Sequence, residues 1–250
     1  MSPKISIAQA LGLLRSLVIY YQPRRTRAWK KFYRHLIEEG QIAFDVGAHV
    51  GSRSRVLRSL GAKVVAIEPQ RHFASFLART LPKDIALIQA AVGPRSEQAV
   101  LKASSKHPTV SSLNTDFVEQ AANAPGFKNV AWDKSEIVSV FTLDDIIKQH
   151  GMPQYLKIDV EGFELEVLKG LSKPISIISF EYLPGFKELS QDVISRLMTL
   201  GDYSFNVVIG ERAEFAWSEW QDHDQARGWL ENLEAGTKSG DIFAKLNASN

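Results

Sequence analysis

The chain has 250 residues, of which 44% are hydrophobic and 23% are charged, and this is the composition of a globular protein. It excludes a disordered chain, a collagen and a bundle of membrane helices. The absence of cysteine excludes a disulfide framework, a thiolate metal site and a cysteine nucleophile. It also fits a reducing compartment, so we expect a cytoplasmic protein.

Positive charge is concentrated at the start of the chain. Residues 1–37 contain eight Lys and Arg and no Asp or Glu, which leaves 22 basic against 28 acidic side chains in the rest. A net charge of −6 over that remainder argues against a general nucleic-acid-binding surface. We therefore expect no nucleic acid partner.

The apolar stretch at residues 5–21 predicts an amphipathic helix. Its apolar positions recur every three or four residues, at Ile7, Leu11, Leu14, Val18 and Tyr21. The stretch is too short for a membrane span and is interrupted by Gln9 and Arg15. It packs on the domain or on a second copy of the chain, or residues 5–34 contact an anionic membrane or substrate; we favour packing. Residues 1–40 are predicted to be a basic helical appendage to a main domain at 41–250.

From residue 41 onward, apolar runs alternate with helical patterns. Seven runs predict strands, at residues 42–44, 63–67, 85–89, 154–158, 175–180, 205–209 and 241–246. Helices are predicted at 53–60, 73–81, 163–168 and 193–200. This alternation predicts a Rossmann-like α/β fold, a doubly wound and mostly parallel sheet with helices on both faces. Ligands bind such sheets at the carboxyl ends of the strands.

One long segment, at about 102–137, breaks this alternation. It holds few periodic apolar positions and several Ser, Asn, Pro and Gly residues. Long insertions at the ligand edge of a sheet are usually functional, so we expect a lid over the substrate. His107 of this segment is a candidate base only if the lid closes over the site.

The segment 44–51 is the most informative one, because it forms a glycine turn between a predicted strand and a helix. Gly47 permits a sharp turn, and the small Ala48 and Gly51 let a ligand approach the backbone. The G-x-x-x-G spacing differs from the G-x-G-x-x-G that binds a dinucleotide pyrophosphate. Asp45 would repel a pyrophosphate but would hold the ammonium of an amino acid, and His49 lies in the same turn.

Two further pieces follow on the next strands. Glu68, before Pro69, ends the second strand, where an acid can accept hydrogen bonds from both ribose hydroxyls. Ala91 and Val92 follow the third strand, and their backbone could pair with an adenine edge. The three pieces together predict a site for S-adenosylmethionine. A nicotinamide-dependent oxidoreductase is the alternative enzyme class, and a cofactor-binding protein without catalysis is the other alternative.

The sequence resembles the FkbM family of methyltransferases. The similarity extends from about Gln41 to Tyr182, in the runs 44–51, 66–69, 90–93, 141–145 and 156–164, the last reading LKIDVEGFE. The resemblance implies a class I methyltransferase fold, S-adenosylmethionine, and usually O-methylation of sugars, polyketides or other natural products. By position it implies that Asp45, Gly47, Gly51 and Glu68 bind the cofactor and that Asp159 lies near its methyl end.

Methyl transfer to a hydroxyl of a small molecule or carbohydrate requires alignment of donor and acceptor and a group that takes the proton. Asp159 and Glu181 end the fourth and fifth predicted strands and, with His49, are the catalytic candidates. Glu161, two residues after Asp159, is explained equally well by a role in the site and by charge complementarity at a helix start.

Two mechanisms remain open. Asp159 or a histidine acts as base, or Asp159 and Glu181 hold a divalent cation such as Mg²⁺. We prefer the metal-free version, because no third ligand has a recognisable spacing. Lys157 is expected on the other face of its strand, packing or forming a pair, and Glu164 is expected to be solvated. His72 is expected at the surface of a helix.

Overall fold

The structure is a computed structural model, and it describes residues 7–104, 111–121, 130–234 and 236–248. Its strands are β1 (Ile42–Val46), β2 (Lys63–Ile67), β3 (Ala86–Ile88), β4 (Ala91–Val92), β5 (Glu97–Ala103), β6 (Ser111–Ser112), β7 (Lys134–Phe141), β8 (Tyr155–Ile158), β9 (Ile177–Tyr182), β10 (Tyr203–Ile209) and β11 (Gly240–Leu246). Its α-helices are α1 (Ile7–Tyr20), α2 (Pro23–Tyr33), α3 (Ser52–Arg58), α4 (Arg71–Thr80), α5 (Thr115–Ala121), α6 (Leu143–His150), α7 (Glu164–Lys169), α8 (Lys187–Leu200) and α9 (His223–Glu231). A 3₁₀ turn, Pro184–Phe186, precedes α8.

Seven strands form the central sheet, in the order β10-β11-β9-β8-β1-β2-β3. All are parallel except β11, which runs antiparallel to both β9 and β10. The seven strands predicted from the sequence are these seven, with ends that differ by at most two residues. Chain order reverses beside β1, whose neighbours are β2 and β8. In a doubly wound sheet this reversal opens a crevice at the carboxyl ends of the strands.

The sheet is apolar on both faces because side chains alternate between two cores. Ala43 of β1 faces the layer made by α2, α3 and α4, whereas Phe44 faces the layer made by α6, α7, α8 and α9. Both are fully buried, as is β8 along its whole length. Burial of this extent on both faces is typical of parallel strands covered by helices. The predicted doubly wound α/β fold is confirmed.

Helix α2, which carries most of the basic residues of the N-terminal segment, is part of this packing. Trp29, Phe32 and Tyr33 are buried against the sheet, while its Lys and Arg residues lie on the outer side. The layer formed by α2 therefore belongs to the core of the main domain. The predicted domain boundary at residue 40 remains a prediction. No helix among the described residues is long and apolar enough to cross a membrane.

A second sheet, in the order β4-β7-β5-β6, flanks the predicted insertion, and β5 and β7 overlap its two ends. Its centre is the antiparallel pair β5 and β7, which we did not predict. The insertion leaves from the far end of this pair, and α5 follows β6. Residues 105–110, which include His107, and 122–129 lie outside the described residues. The role of the insertion as a lid remains a prediction.

Candidate active site

The loop that leaves β1 is a tight glycine turn. The backbone N–H groups of Gly47 and Ala48 both donate to the carbonyl oxygen of Ile67, at 3.0 Å. Gly47 has a φ of 80°, and a Cβ at this position would lie 1.9 Å from the backbone oxygen of Asp159. Only glycine fits here, and its absence of a side chain brings the ends of β1 and β8 together.

Gly51 lies behind the turn, where it is the N-cap of α3 with a φ of 75°. A Cβ at this position would lie 2.8 Å from the side chain of Leu77 in α4. Gly51 lines neither of the two pockets at this edge of the sheet. The structure therefore gives Gly51 a role in helix packing.

Glu68, at the end of β2, is held by the backbone. Its two carboxylate oxygens accept hydrogen bonds from the backbone N–H groups of His49, at 2.8 Å, and Gln70, at 2.9 Å. The side chain is only 3% exposed. Burial raises the pKa of Glu68 to about 7, although the two hydrogen bonds act in the opposite direction.

Seven of the ten predicted cofactor residues meet in one cleft of about 730 Å³, including space open to solvent. Those that line it are Gly47, His49, Glu68, Pro69, Ala91, Val92 and Asp159. Tyr20 of α1 and residues 111–113 of the insertion also line this cleft, which we call the donor cleft. None of the described residues that line it is Lys or Arg. The cleft therefore offers no cationic side chain to a diphosphate.

A second pocket of about 960 Å³, including space open to solvent, adjoins the donor cleft, and we call it the polar pocket. The two share one wall, formed by Tyr20, Gly47, His49, Asp159 and Glu161. The polar pocket also contains Asp45, Ala48, Arg53, Lys157, Glu181, Glu211 and Asp241. Asp45 is 1% exposed and accepts a hydrogen bond from Ser54 Oγ at 2.5 Å. Of the predicted site residues, Asp45, Ala48 and Glu181 thus face this second pocket alone.

Lys157 and Asp159 form a pair across the shared wall, with Lys157 Nζ 2.7 Å from Asp159 Oδ2. The expectation that Lys157 pairs is met, but the expected face was wrong, because residues two apart on a strand point the same way. Burial lowers the pKa of Lys157, but Asp159, Asp45 and Asp241 raise it above its ordinary value. Burial likewise raises the pKa of Asp159, but Lys157 lowers it below its ordinary range. Asp159 is therefore ionised at neutral pH.

Two further carboxyl groups crowd Asp159. Burial raises the pKa of Glu161 well above its ordinary value, and Asp159 raises it further. Burial also raises the pKa of Glu181 well above its ordinary value, and Glu161 raises it further. Asp159, Glu161 and Glu181 each offer an oxygen within 4.8 Å of the others, so Glu161 is the third ligand that a divalent cation would need. The ammonium group of Lys157, already bound to Asp159, would repel such a cation.

The ring of His49 lies between two aromatic rings in the shared wall. Its centroid is 5.6 Å from that of Tyr20 and 4.2 Å from that of Phe73, with edge-to-face geometry in both pairs. Burial lowers the pKa of His49 to about 4, so the imidazole is neutral at neutral pH. Its Nε2 atom is buried and makes no hydrogen bond within the described part of the chain.

Two expectations about polar side chains were wrong. Glu164 is 5% exposed, and it accepts hydrogen bonds from the backbone N–H groups of Val160, at 3.2 Å, and Gly162, at 3.3 Å. It thus fixes the loop that carries Glu161, since it satisfies backbone donors that would otherwise be buried without partners. His72, expected at the surface of α4, is 9% exposed.

Sequence reasoning missed three parts of the polar pocket. Tyr20 comes from α1, and Arg53 forms an ion pair with Glu211 at 2.6 Å. Asp241 lies at the start of β11. A signal existed for Asp241: a final strand that runs antiparallel begins at the carboxyl edge of its parallel neighbours. Tyr20 and Glu211 had no such signal, because they are remote in sequence from every motif.

The strand order, the glycine turn after β1 and the acid at the end of β2 define the class of protein, a methyltransferase with the Rossmann-like class I fold. The chain belongs to the FkbM methyltransferase family, because the family's domain model matches residues 45–238. A relative, the hexuronic acid methyltransferase AglP of Haloferax volcanii, is 26% identical over 188 residues, covering 72% of each chain.

Solved methyltransferase structures also superpose in part on this chain. The precorrin-6y C5,15-methyltransferase of Geobacter metallireducens is 13% identical with a TM-score of 0.44, covering 89% of this chain and 87% of that one. A methyltransferase of Pyrococcus furiosus is 12% identical with a TM-score of 0.44, covering 96% and 98%. These partial overlaps add nothing to the strand order, on which the assignment of the fold depends.

Proposed function

We propose that the protein transfers a methyl group from S-adenosylmethionine to a hydroxyl oxygen of a sugar or another small molecule. The observation that carries the proposal is the pair of pockets that share the wall Tyr20, Gly47, His49, Asp159 and Glu161. The nucleoside of a methyl donor would lie in the donor cleft, and its amino acid end would reach the polar pocket past these shared residues. An acceptor bound in the polar pocket would meet the methyl group there. Family membership supports the donor, and the carbohydrate methyltransferase AglP supports a sugar acceptor.

The residues of the donor cleft fit an amino-acid-bearing nucleoside. Glu68 would accept hydrogen bonds from the ribose hydroxyls, and Ala91 and Val92 would flank the adenine. Asp45, in the adjoining pocket, would hold the ammonium group. The turn after β1 lacks the G-x-G-x-x-G spacing, and Asp45 beside it would repel a pyrophosphate, which argues against a nicotinamide-dependent oxidoreductase.

When bound, S-adenosylmethionine supplies a methyl group activated by its sulfonium. The chain has to orient the acceptor hydroxyl and remove its proton. Of the two candidate bases, His49 and Asp159, we favour His49, because its neutral Nε2 is unpartnered among the described residues. A weak base suffices, since a hydroxyl oxygen that is gaining a methyl group becomes strongly acidic.

Asp159 and Glu181 would position the acceptor. Asp159 is held ionised by Lys157, so it is a poor proton acceptor but a good partner for a hydroxyl donor. The metal-free mechanism remains our proposal, because Lys157 already pairs with Asp159 and its ammonium group would repel a cation bound there.

The charge of the polar pocket favours a neutral acceptor or one that carries an amine. Six carboxyl groups line it, from Asp45, Asp159, Glu161, Glu181, Glu211 and Asp241. Its two cations are already paired, Arg53 with Glu211 and Lys157 with Asp159. An acceptor carboxylate would find no free cation among the described lining residues, so this chain is expected to differ from its relative in the charge of its acceptor.

Isothermal titration with S-adenosylhomocysteine and with NAD tests the proposal. We expect micromolar-range binding of the first and none of the second. Binding of NAD alone would end the case for methyl transfer. A protein that binds S-adenosylhomocysteine but methylates no hydroxyl compound in a broad acceptor panel would support the alternative, a cofactor-binding protein without catalysis.

A further inference from the structure

One face of α1 is apolar and exposed. Leu14 is 58% exposed, Val18 is 66% exposed and Ile19 is 37% exposed, and Arg15 among them is also exposed. Positions three and four apart on a helix are neighbours, so Leu14 lies beside Val18, and Arg15 lies beside both Val18 and Ile19. These four residues form one continuous surface, which we call the α1 patch. The sequence continues the apolar stripe at Leu11 and Ile7.

The opposite face of α1 faces the protein. Ser16 is 2% exposed, and Leu13 and Leu17 are half-buried. The next residue on this face, Tyr20, lines both pockets and contacts the ring of His49. The helix is therefore seated by one face and leaves its other apolar face uncovered. Packing against the described residues of this chain does not account for the α1 patch.

Cationic side chains surround the α1 patch. Arg25 Nη1 donates to the backbone oxygen of Ile19 at 3.1 Å, which holds the start of α2 beside the patch. Further exposed cations follow along α2 and just beyond it, at Arg24, Arg27, Lys31 and Arg34. Residues 1–37 hold no acidic side chain that would offset this charge.

We propose that the α1 patch docks on an anionic lipid bilayer, with Leu14 and Val18 entering the interface and the arginines contacting lipid phosphates. An exposed apolar helix face flanked by Lys and Arg is the arrangement of an interfacial membrane helix. The long arginine side chains can keep their charges at the headgroups while their stems cover apolar surface. A second copy of this chain would bring the same cations against each other, so charge favours the bilayer over a dimer through this face.

The docking places the two pockets next to the membrane surface. Because α1 ends at Tyr20 in the wall between the pockets, a bilayer under the α1 patch lies beside the site. This inference does not depend on which group is methylated.

Vesicle co-sedimentation of the full chain tests the docking. We expect binding to vesicles of phosphatidylcholine with about 30 mol% phosphatidylglycerol, weak binding to phosphatidylcholine alone, and loss of binding as salt rises. The double variant Leu14→Glu and Val18→Glu should bind about tenfold more weakly or worse. The matched control is Met152→Glu, because Met152 is 42% exposed at the edge of the sheet opposite the site, and it should bind like the unchanged chain.

Three results would overturn the proposal: no binding of the unchanged chain to anionic vesicles, undiminished binding of the double variant, or equal loss in the Met152→Glu control. A dimer in solution that the double variant dissociates would assign the α1 patch to a second copy instead. Retained binding of S-adenosylhomocysteine by the double variant checks that it is folded.

Discussion

The carboxyl group of Glu68 should make nucleoside binding depend on pH. Its pKa is raised to about 7 by burial, so it is protonated below that pH and ionised above it. Ribose hydroxyls donate stronger hydrogen bonds to a carboxylate than to a neutral carboxyl group. If Glu68 receives those hydroxyls, affinity has to rise as pH rises through about 7.

The size of the effect follows from the pKa. With a pKa of about 7, roughly one-tenth of Glu68 is ionised at pH 6 and roughly nine-tenths at pH 8. A ligand that binds only the ionised form should therefore bind about tenfold more tightly at pH 8, which corresponds to ~1.4 kcal/mol. In Glu68→Gln the pH dependence should vanish. Affinity should also fall at every pH, because the amide can accept only one of the two hydrogen bonds from His49 and Gln70.

The assay is calorimetry with 5′-methylthioadenosine, which has the nucleoside and the sulfur but lacks the amino acid, so the ligand itself does not titrate in this range. Glu188→Gln, at an exposed position in α8, is the matched control and should keep the full pH dependence. An affinity of the unchanged chain that is flat between pH 6 and 8 would refute the reasoning, as would an equally steep dependence in Glu68→Gln.

Four further predictions concern the turn, the acceptor, the base and the metal. Gly47→Ala should abolish binding of S-adenosylhomocysteine, because its Cβ would lie 1.9 Å from the oxygen of Asp159; Gly185→Ala, whose Cβ meets nothing within 4 Å, is the control and should bind normally. In a panel of sugars assayed with radiolabelled S-adenosylmethionine, neutral and amino sugars should be methylated faster than uronic acids; a preference for uronic acids would contradict the charge argument. With the best acceptor of that panel, His49→Asn, which tolerates the positive φ of this position, should lower kcat by about 10²–10⁴ and leave 5′-methylthioadenosine binding nearly unchanged. A chelator should leave that activity intact, and full loss with rescue by Mg²⁺ would favour the cation mechanism instead.

The sequence predicts the central sheet well for a physical reason. Its strands are buried on both faces and so appear as short apolar runs, as in Lys63–Ile67, which is predicted with its observed ends. The pair β5 and β7 has one exposed face and many polar residues, and its two strands are separated by the long insertion. Such a pair has no local signal of that kind, and it was missed.

Some missed elements did carry a signal. The start of α9 has a capping box, in which Asp222 and Gln225 exchange hydrogen bonds, and that pattern is visible in the sequence. Thr142 caps α6 in a similar way, since its side chain accepts a hydrogen bond from the backbone of Asp145. These helices could have been predicted from caps alone.

The candidate site, too, could be predicted only in part. Residues next to the glycine turn and at strand ends, such as Glu68 and Asp159, follow from the rule that ligands bind at the carboxyl edge of the sheet. The environment of each group does not follow from that rule. The pairing of Lys157 with Asp159 does follow from their spacing of two on one strand. The burial of Glu164 and the approach of Tyr20 depend on how distant segments pack, and no spacing in the sequence encodes that.

A crystal structure with S-adenosylhomocysteine tests the central claim most directly. We predict that the ribose lies on Glu68 and the adenine lies beside Ala91 and Val92. The sulfur should face the wall shared by the two pockets, within reach of His49 and Asp159. A nucleoside bound elsewhere, or a sulfur directed away from the polar pocket, would contradict the account.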